Sequence, residues 1–97
     1  MNLYLVSRTD TPGEDQYDAI LVAAKDSTQA RNVHPQANDD YSDYGRTNPF
    51  TYGVDWWSDE DNKVWRQHPK DLKCEYIGMA RPSYKEPTVI IASFNAG

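Results

Sequence analysis

The run Tyr17-Asp18-Ala19-Ile20-Leu21-Val22-Ala23-Ala24-Lys25-Asp26-Ser27-Thr28-Gln29 is where the fold is decided. Its first eight residues, Tyr17 to Ala24, form an apolar run of strand length. Asp26 with Gln29 three residues on has capping-box spacing, so a helix is predicted to start directly after the strand. Ala30, Val33 and His34 then share one face at i, i+3, i+4 spacing. Pro35 disfavours helical geometry at the residue before it and is expected to end the helix at His34. A helix this short holds only by packing on a sheet.

Working outward, Leu3-Tyr4-Leu5-Val6 ends at Ser7 and reads as a first strand. The polar stretch Thr9 to Gln16, with Pro12-Gly13, is a turn that makes it antiparallel to the second. On the other side, Val54 to Trp57 and Lys63 to Arg66 are expected to form an aromatic hairpin. His68-Pro69-Lys70-Asp71-Leu72 reads as one turn of helix with proline at its first position. Lys73 to Met79 alternates as a half-buried strand does. Thr88-Val89-Ile90-Ile91-Ala92-Ser93-Phe94 is apolar on both faces, which predicts a central place in the sheet. The outcome is an α+β fold of order β-β-α-β-β, a small antiparallel sheet with one short helix on a face. The chain reads as a single domain, 1–97. Residues 1–35 and 72–97 form the scaffold and 36–66 an acidic, aromatic-rich segment.

The composition bears this out and narrows the function. Leu, Ile, Val and Phe total only 16 of 97 residues, the range of disordered chains, but 12 aromatics accompany them. A Trp or Tyr buries about 150–250 Å², so a partly aromatic core is expected. No apolar run nears the ~20 residues of a membrane span. The amino terminus lacks the pattern of a signal peptide, and Cys74 is the single cysteine. The expectation is therefore a protein of a reducing cytoplasm.

Known chemical motifs are missing. Cys74 lies mid-strand without a glycine-rich turn, and reads as a small hydrophobe. His34 and His68 each precede a proline, where a ring packs or caps. A zinc site from His34, His68, Cys74 and an Asp has no supporting ligand spacing. Asp59-Glu60-Asp61-Asn62 starts like a calcium loop but continues Lys63-Val64 and lacks the closing acid. No phosphate-binding glycine loop occurs. Catalytic residues, a metal and a cofactor are accordingly not expected. The basic stretch Lys63 to Lys85, with Trp65, Tyr76 and Tyr84, could stack single-stranded bases. The acidic segment would repel the phosphates, which disfavours direct nucleic-acid binding.

Charge is segregated along the chain. Residues 39–61 carry a net −6 and residues 62–85 a net +4, within a total of −5. The span from Asp39 to Trp65 also holds seven of the 12 aromatics. Trp56 and Trp57 are adjacent, so on a strand they face opposite ways, and one needs a loop or a partner to cover it. Exposed Trp and Tyr are frequent interface hot spots, and acids around them suit a partner rich in Lys and Arg. The expected partner-binding residues are Asp39, Asp40, Asp43, Asp59, Glu60 and Asp61 for charge, with Tyr41, Tyr44 and Trp57 as anchors.

The two ends of the chain carry a resemblance. Leu3-Tyr4-Leu5-Val6-Ser7-Arg8-Thr9-Asp10, Tyr17-Asp18-Ala19 and Ala30-Arg31 to His34-Pro35 resemble a group of small proteins of tailed bacteriophages and prophages. Glu75-Tyr76-Ile77-Gly78-Met79-Ala80 and Val89-Ile90-Ile91-Ala92-Ser93-Phe94-Asn95-Ala96-Gly97 resemble the same group. The resemblance implies a phage setting in the host cytoplasm, and it marks no site residues. In that setting the expectation is a non-enzymatic protein that binds and inhibits a host protein complex, as an anti-CRISPR or other anti-defence protein does. An acidic surface can occupy a site built for nucleic-acid phosphates. The alternatives are a module stacking a sugar or nucleotide on exposed aromatics, and an enzyme using scattered Asp and His residues. The partner and the oligomeric state stay open at this level.

Overall fold

A computed structural model of the chain describes residues 1–35, 65 and 67–95. Four strands, β1 (Asn2–Ser7), β2 (Gln16–Ala24), β3 (Lys73–Met79) and β4 (Thr88–Asn95), form one antiparallel sheet in the order β3-β1-β2-β4. The helix α1 (Ser27–Arg31) lies between β2 and β3 in sequence and packs against the sheet. The α+β class and the β-β-α-β-β order are as expected.

The first hairpin keeps a continuous register, from Asn2 opposite Ala24 to Ser7 opposite Ala19. Its loop is organised by Arg8. The guanidinium meets Asp10 through Nε–Oδ1 at 2.8 Å and Nη2–Oδ2 at 2.7 Å. It also donates through Nη1 to Gln16 Oε1 at 2.9 Å. Asp15 sits at φ 57°, a left-handed conformation that Asp tolerates. Its N–H reaches the Asn95 carbonyl at 2.6 Å, tying the turn to the end of β4.

Asp26 caps α1 as its spacing predicts, with Oδ1 accepting from the Gln29 N–H at 2.8 Å. Gln29 Oε1 reaches back to the Lys25 N–H at 2.9 Å, one residue before the usual capping-box partner. The helix ends sooner than expected. Arg31 is its last residue, and the N–H of Asn32 turns back to the Gln29 carbonyl at 3.1 Å. Proline disfavours helix at the residue before it, but here the tightened last turn ends the helix ahead of that point. Ala30, Val33 and His34 are nevertheless all fully buried.

One face of the sheet carries the core. Tyr4 and Val6 of β1, with Ile20, Val22 and Ala24 of β2, pack with Ala30, Val33, Trp65 and Leu72. Cys74, Val89 and Ala92 flank this cluster, as does Tyr17, whose ring meets Phe94 edge-on at 4.9 Å. Trp65, which fills much of this layer, lies in a bend and not in the expected strand. The rest of the expected hairpin, Val54 to Trp57 and Lys63, Val64 and Arg66, lies outside the described residues.

The largest departure concerns β4. Expected at the centre, it pairs with β2 alone and forms an edge of the sheet, as β3 does at the other side. A strand that is apolar on both faces signals cover on both faces, and this does not require a neighbour on both edges. Irregular registers beside Ile90 in β4 and Ile77 in β3 interrupt both outer strands. Such bulges blunt an exposed edge.

Candidate functional site

Every residue expected to bind a partner, namely Asp39, Asp40, Tyr41, Asp43, Tyr44, Trp57, Asp59, Glu60 and Asp61, lies outside the described residues. What the structure does describe is the residues that flank that segment. Its neighbours in the chain are buried, Val33, His34 and Pro35 before it and Trp65 after it. Both anchors are on the helix-bearing side of the sheet, since Val33 and Trp65 belong to the same cluster as Val6 and Val22. Beyond Trp65, Gln67 is clipped to the first loop by a reciprocal pair. Its Oε1 accepts from the Thr9 N–H at 2.7 Å, and its Nε2 donates to Thr9 Oγ1 at 2.6 Å. The Thr9 hydroxyl in turn donates to the Asp71 carbonyl at 2.7 Å.

Of the two histidines, one is buried and the other caps a turn. His34 is entirely buried beside Val33. His68 caps the 3-10 turn Pro69–Asp71, its Nδ1 accepting from the Lys70 N–H at 3.1 Å. That bond leaves the neutral ring protonated at Nε2. Cys74 is half-buried on β3, with Sγ 4.0 Å from the Ser27 carbonyl. Burial pushes its thiol up from the ordinary value, against the smaller opposing pull of Arg31. A thiol held protonated is a poor nucleophile at neutral pH. Among the described residues no three His, Cys, Asp or Glu side chains come together to hold a metal ion. Among them, too, no helix is long and apolar enough to cross a membrane.

Two features were missed by reading the sequence. The first is a cavity of about 270 Å³ between α1 and the 3-10 turn, lined by Thr28, Arg31, Asn32, His68, Pro69 and Lys70. It presents two cationic side chains, Arg31 and Lys70. Arg31 Nε is buried without a hydrogen-bond partner among the described residues. The signal was available in Arg31 at the end of a helix and Lys70 in a proline turn, but 39 residues separate them in the chain.

The second is the sheet face opposite the helix. Leu5, Ala19, Leu21, Ile77, Ile91 and Ser93 line a shallow apolar hollow of about 210 Å³. Leu5 pairs with Leu21 and Leu21 with Ile91, so these residues form a row across the strands. Ile91 ends the row on β4, 63% exposed, and Glu75 faces Leu5 from β3; Ile77, 51% exposed, sits at the irregular register of β3. In the sequence these residues were indistinguishable from the core.

Compared with protein-family models, curated proteins and solved structures, the chain matches none.

Proposed function

We propose that this is a non-enzymatic binding module that occupies a basic, nucleic-acid-binding surface of a host protein complex, in the manner of an anti-CRISPR or other anti-defence protein in the host cytoplasm. The observation that carries the reading is the pair of anchors. The sheet and α1 hold both ends of the segment on one side, at Val33 to Pro35 and at Trp65. The chain between those anchors bears the net −6 of residues 39–61. A dense run of acids and aromatics flanked on both sides by buried residues favours binding over chemistry. The cap formed by His68 and the raised Cys74 thiol favour the same side.

The charged groups assigned to binding are Asp39, Asp40, Asp43, Asp59, Glu60 and Asp61, with Tyr41, Tyr44 and Trp57 as apolar anchors. Phosphate-binding sites present Lys and Arg at backbone spacing, and a row of carboxylates competes for them.

The test is quantitative capture by the tagged full chain from host lysate, at about 50 mM and about 500 mM salt, where screening shortens from roughly 14 Å to 4 Å. A specific partner should be lost at high salt and displaced by a DNA oligonucleotide. It should also be lost with the double variant Asp59→Lys/Asp61→Lys. Equal recovery by that variant refutes the electrostatic reading.

A further inference from the structure

Acids outnumber bases in this chain by 15 to 10, yet the cavity between α1 and the 3-10 turn Pro69–Asp71 has the opposite character. Its charged groups are Arg31 and Lys70, with the ring of His68 beside them. None of the described residues that line it is an acid.

We infer that this cavity binds a phosphate group, held between the Arg31 guanidinium and the Lys70 ammonium. Three observations carry this. The first is how the two arginines of the scaffold differ. Arg8 uses all three of its nitrogens, Nε and Nη2 on Asp10 and Nη1 on Gln16 and the Tyr17 carbonyl. Arg31 is half-buried and its Nε is enclosed, and it makes no hydrogen bond or ion pair with a described residue. It also acts on the Cys74 thiol, which burial keeps protonated, so no negative charge is supplied there. A guanidinium drawn out of water without an acceptor costs free energy that an incoming anion recovers. Its planar fork matches phosphate oxygens in pairs.

The second is the donor character of the walls. His68 Nδ1 accepts from the Lys70 N–H at 3.1 Å, so the neutral ring is a donor at Nε2. Asn32 Nδ2 donates to the Thr28 carbonyl at 2.8 Å, which occupies that acceptor. The Thr28 hydroxyl lines the same cavity and can donate. Two cations and these donors repel a metal ion and suit an oxyanion.

The third is charge and size. A phosphate monoester carries about −1.5 to −2 near pH 7, which matches two cations, whereas a carboxylate carries half as much. The volume of about 270 Å³ lies just below the ~300–1,000 Å³ of pockets for drug-sized ligands. It admits a phosphate with a small group attached and excludes a dinucleotide. The source is therefore a free phosphate ion or a small phosphorylated molecule, and the chemistry recognised is the same. None of residues 39–61 is needed, so this site and the binding proposed above stand or fall separately.

The test is titration of the full chain with inorganic phosphate and with ribose 5-phosphate, followed by proton–nitrogen NMR at constant ionic strength. Resonances of Thr28, Arg31 and Lys70, the Arg31 Nε–H among them, should shift and saturate within about 10 mM, as millimolar affinity requires. Tighter binding of ribose 5-phosphate identifies a phosphorylated molecule as the ligand, and tighter binding of inorganic phosphate a free ion. Lys70→Ala changes an exposed position, and should keep the fold while weakening binding at least about tenfold. Arg31→Gln should abolish saturation, and if it does not fold, Lys70→Ala decides alone. Shifts that sodium chloride reproduces overturn the proposal, as does the absence of saturation with both probes or unchanged binding in Lys70→Ala. An ion pair between Arg31 and a carboxylate of the same chain in the phosphate-free protein also overturns it, because the charge of the cavity is then met internally.

Discussion

Replacing Trp65 by alanine tests whether the two buried ends of the acidic segment are part of the core or merely rest on it. The side chain is fully buried and shares a cluster with Tyr4, Val6, Ile20, Val22, Val33 and Leu72. Removing about 150–250 Å² of aromatic burial at ~25 cal/mol per Å² forfeits roughly 4–6 kcal/mol. Compactness of the unfolded chain reduces that by about 10–40%. The result agrees with the ~3–5 kcal/mol usual for Trp→Ala in a core. A domain of this length holds only about 5–15 kcal/mol in all. At ~4–8 °C per kcal/mol for a small domain, Tm should fall by at least about 12 °C. Trp65→Phe, which keeps most of the ring volume, should lose less than half as much. The assay is thermal unfolding followed by circular dichroism, with urea melts to separate a change in midpoint from a change in slope. A Tm for Trp65→Ala within about 2 °C of the parent would refute the reasoning. The segment 36–64 would then be tied down at Val33 to Pro35 alone.

Other outcomes follow from single contacts. Asp26→Ala removes the acceptor of the Gln29 N–H and should cost about 1 kcal/mol, with faster amide exchange at Ser27 to Gln29. Asp26→Asn, which keeps an acceptor, should restore most of it. Cys74 should react slowly with iodoacetamide at pH 7.5 in the folded protein and at the ordinary rate in urea. Its folded thiol titrates above the unfolded one, so the stability it contributes is complete below the unfolded value, near pH 8.5–9, and is lost as pH rises through the folded one. Cys74→Ala should lack that alkaline loss, and equal pH profiles for parent and variant would contradict the burial argument.

Local chemistry was legible from the sequence where it acts over a few residues. The Asp26 cap, the proline turn at Pro69 and the first hairpin each depend on neighbours within reach of one another along the chain, and all three are in the structure. The end of α1 was less legible, because a cap formed by Asn32 and the carbonyls behind it competes with the proline signal. Of the candidate site, the residues themselves were readable as an acidic and aromatic segment. Its anchoring was not, since nothing local says that Trp65 packs with Val33, 32 residues earlier.

By itself the sequence determined that this chain makes short strands around one capped helix, and that its acids are gathered between two apolar ends. Periodicity and capping are properties of adjacent residues, so no tertiary information was needed. The order β3-β1-β2-β4 was decided only by tertiary structure, because an apolar pattern reports that a side chain is covered and not by what. The same Thr-Val-Ile-Ile-Ala-Ser-Phe run suits a central strand or an edge strand whose open face meets another surface. Sheet pairing placed it at the edge, with Ile91 exposed beside the half-buried Leu21 and Leu5 on the face away from the helix.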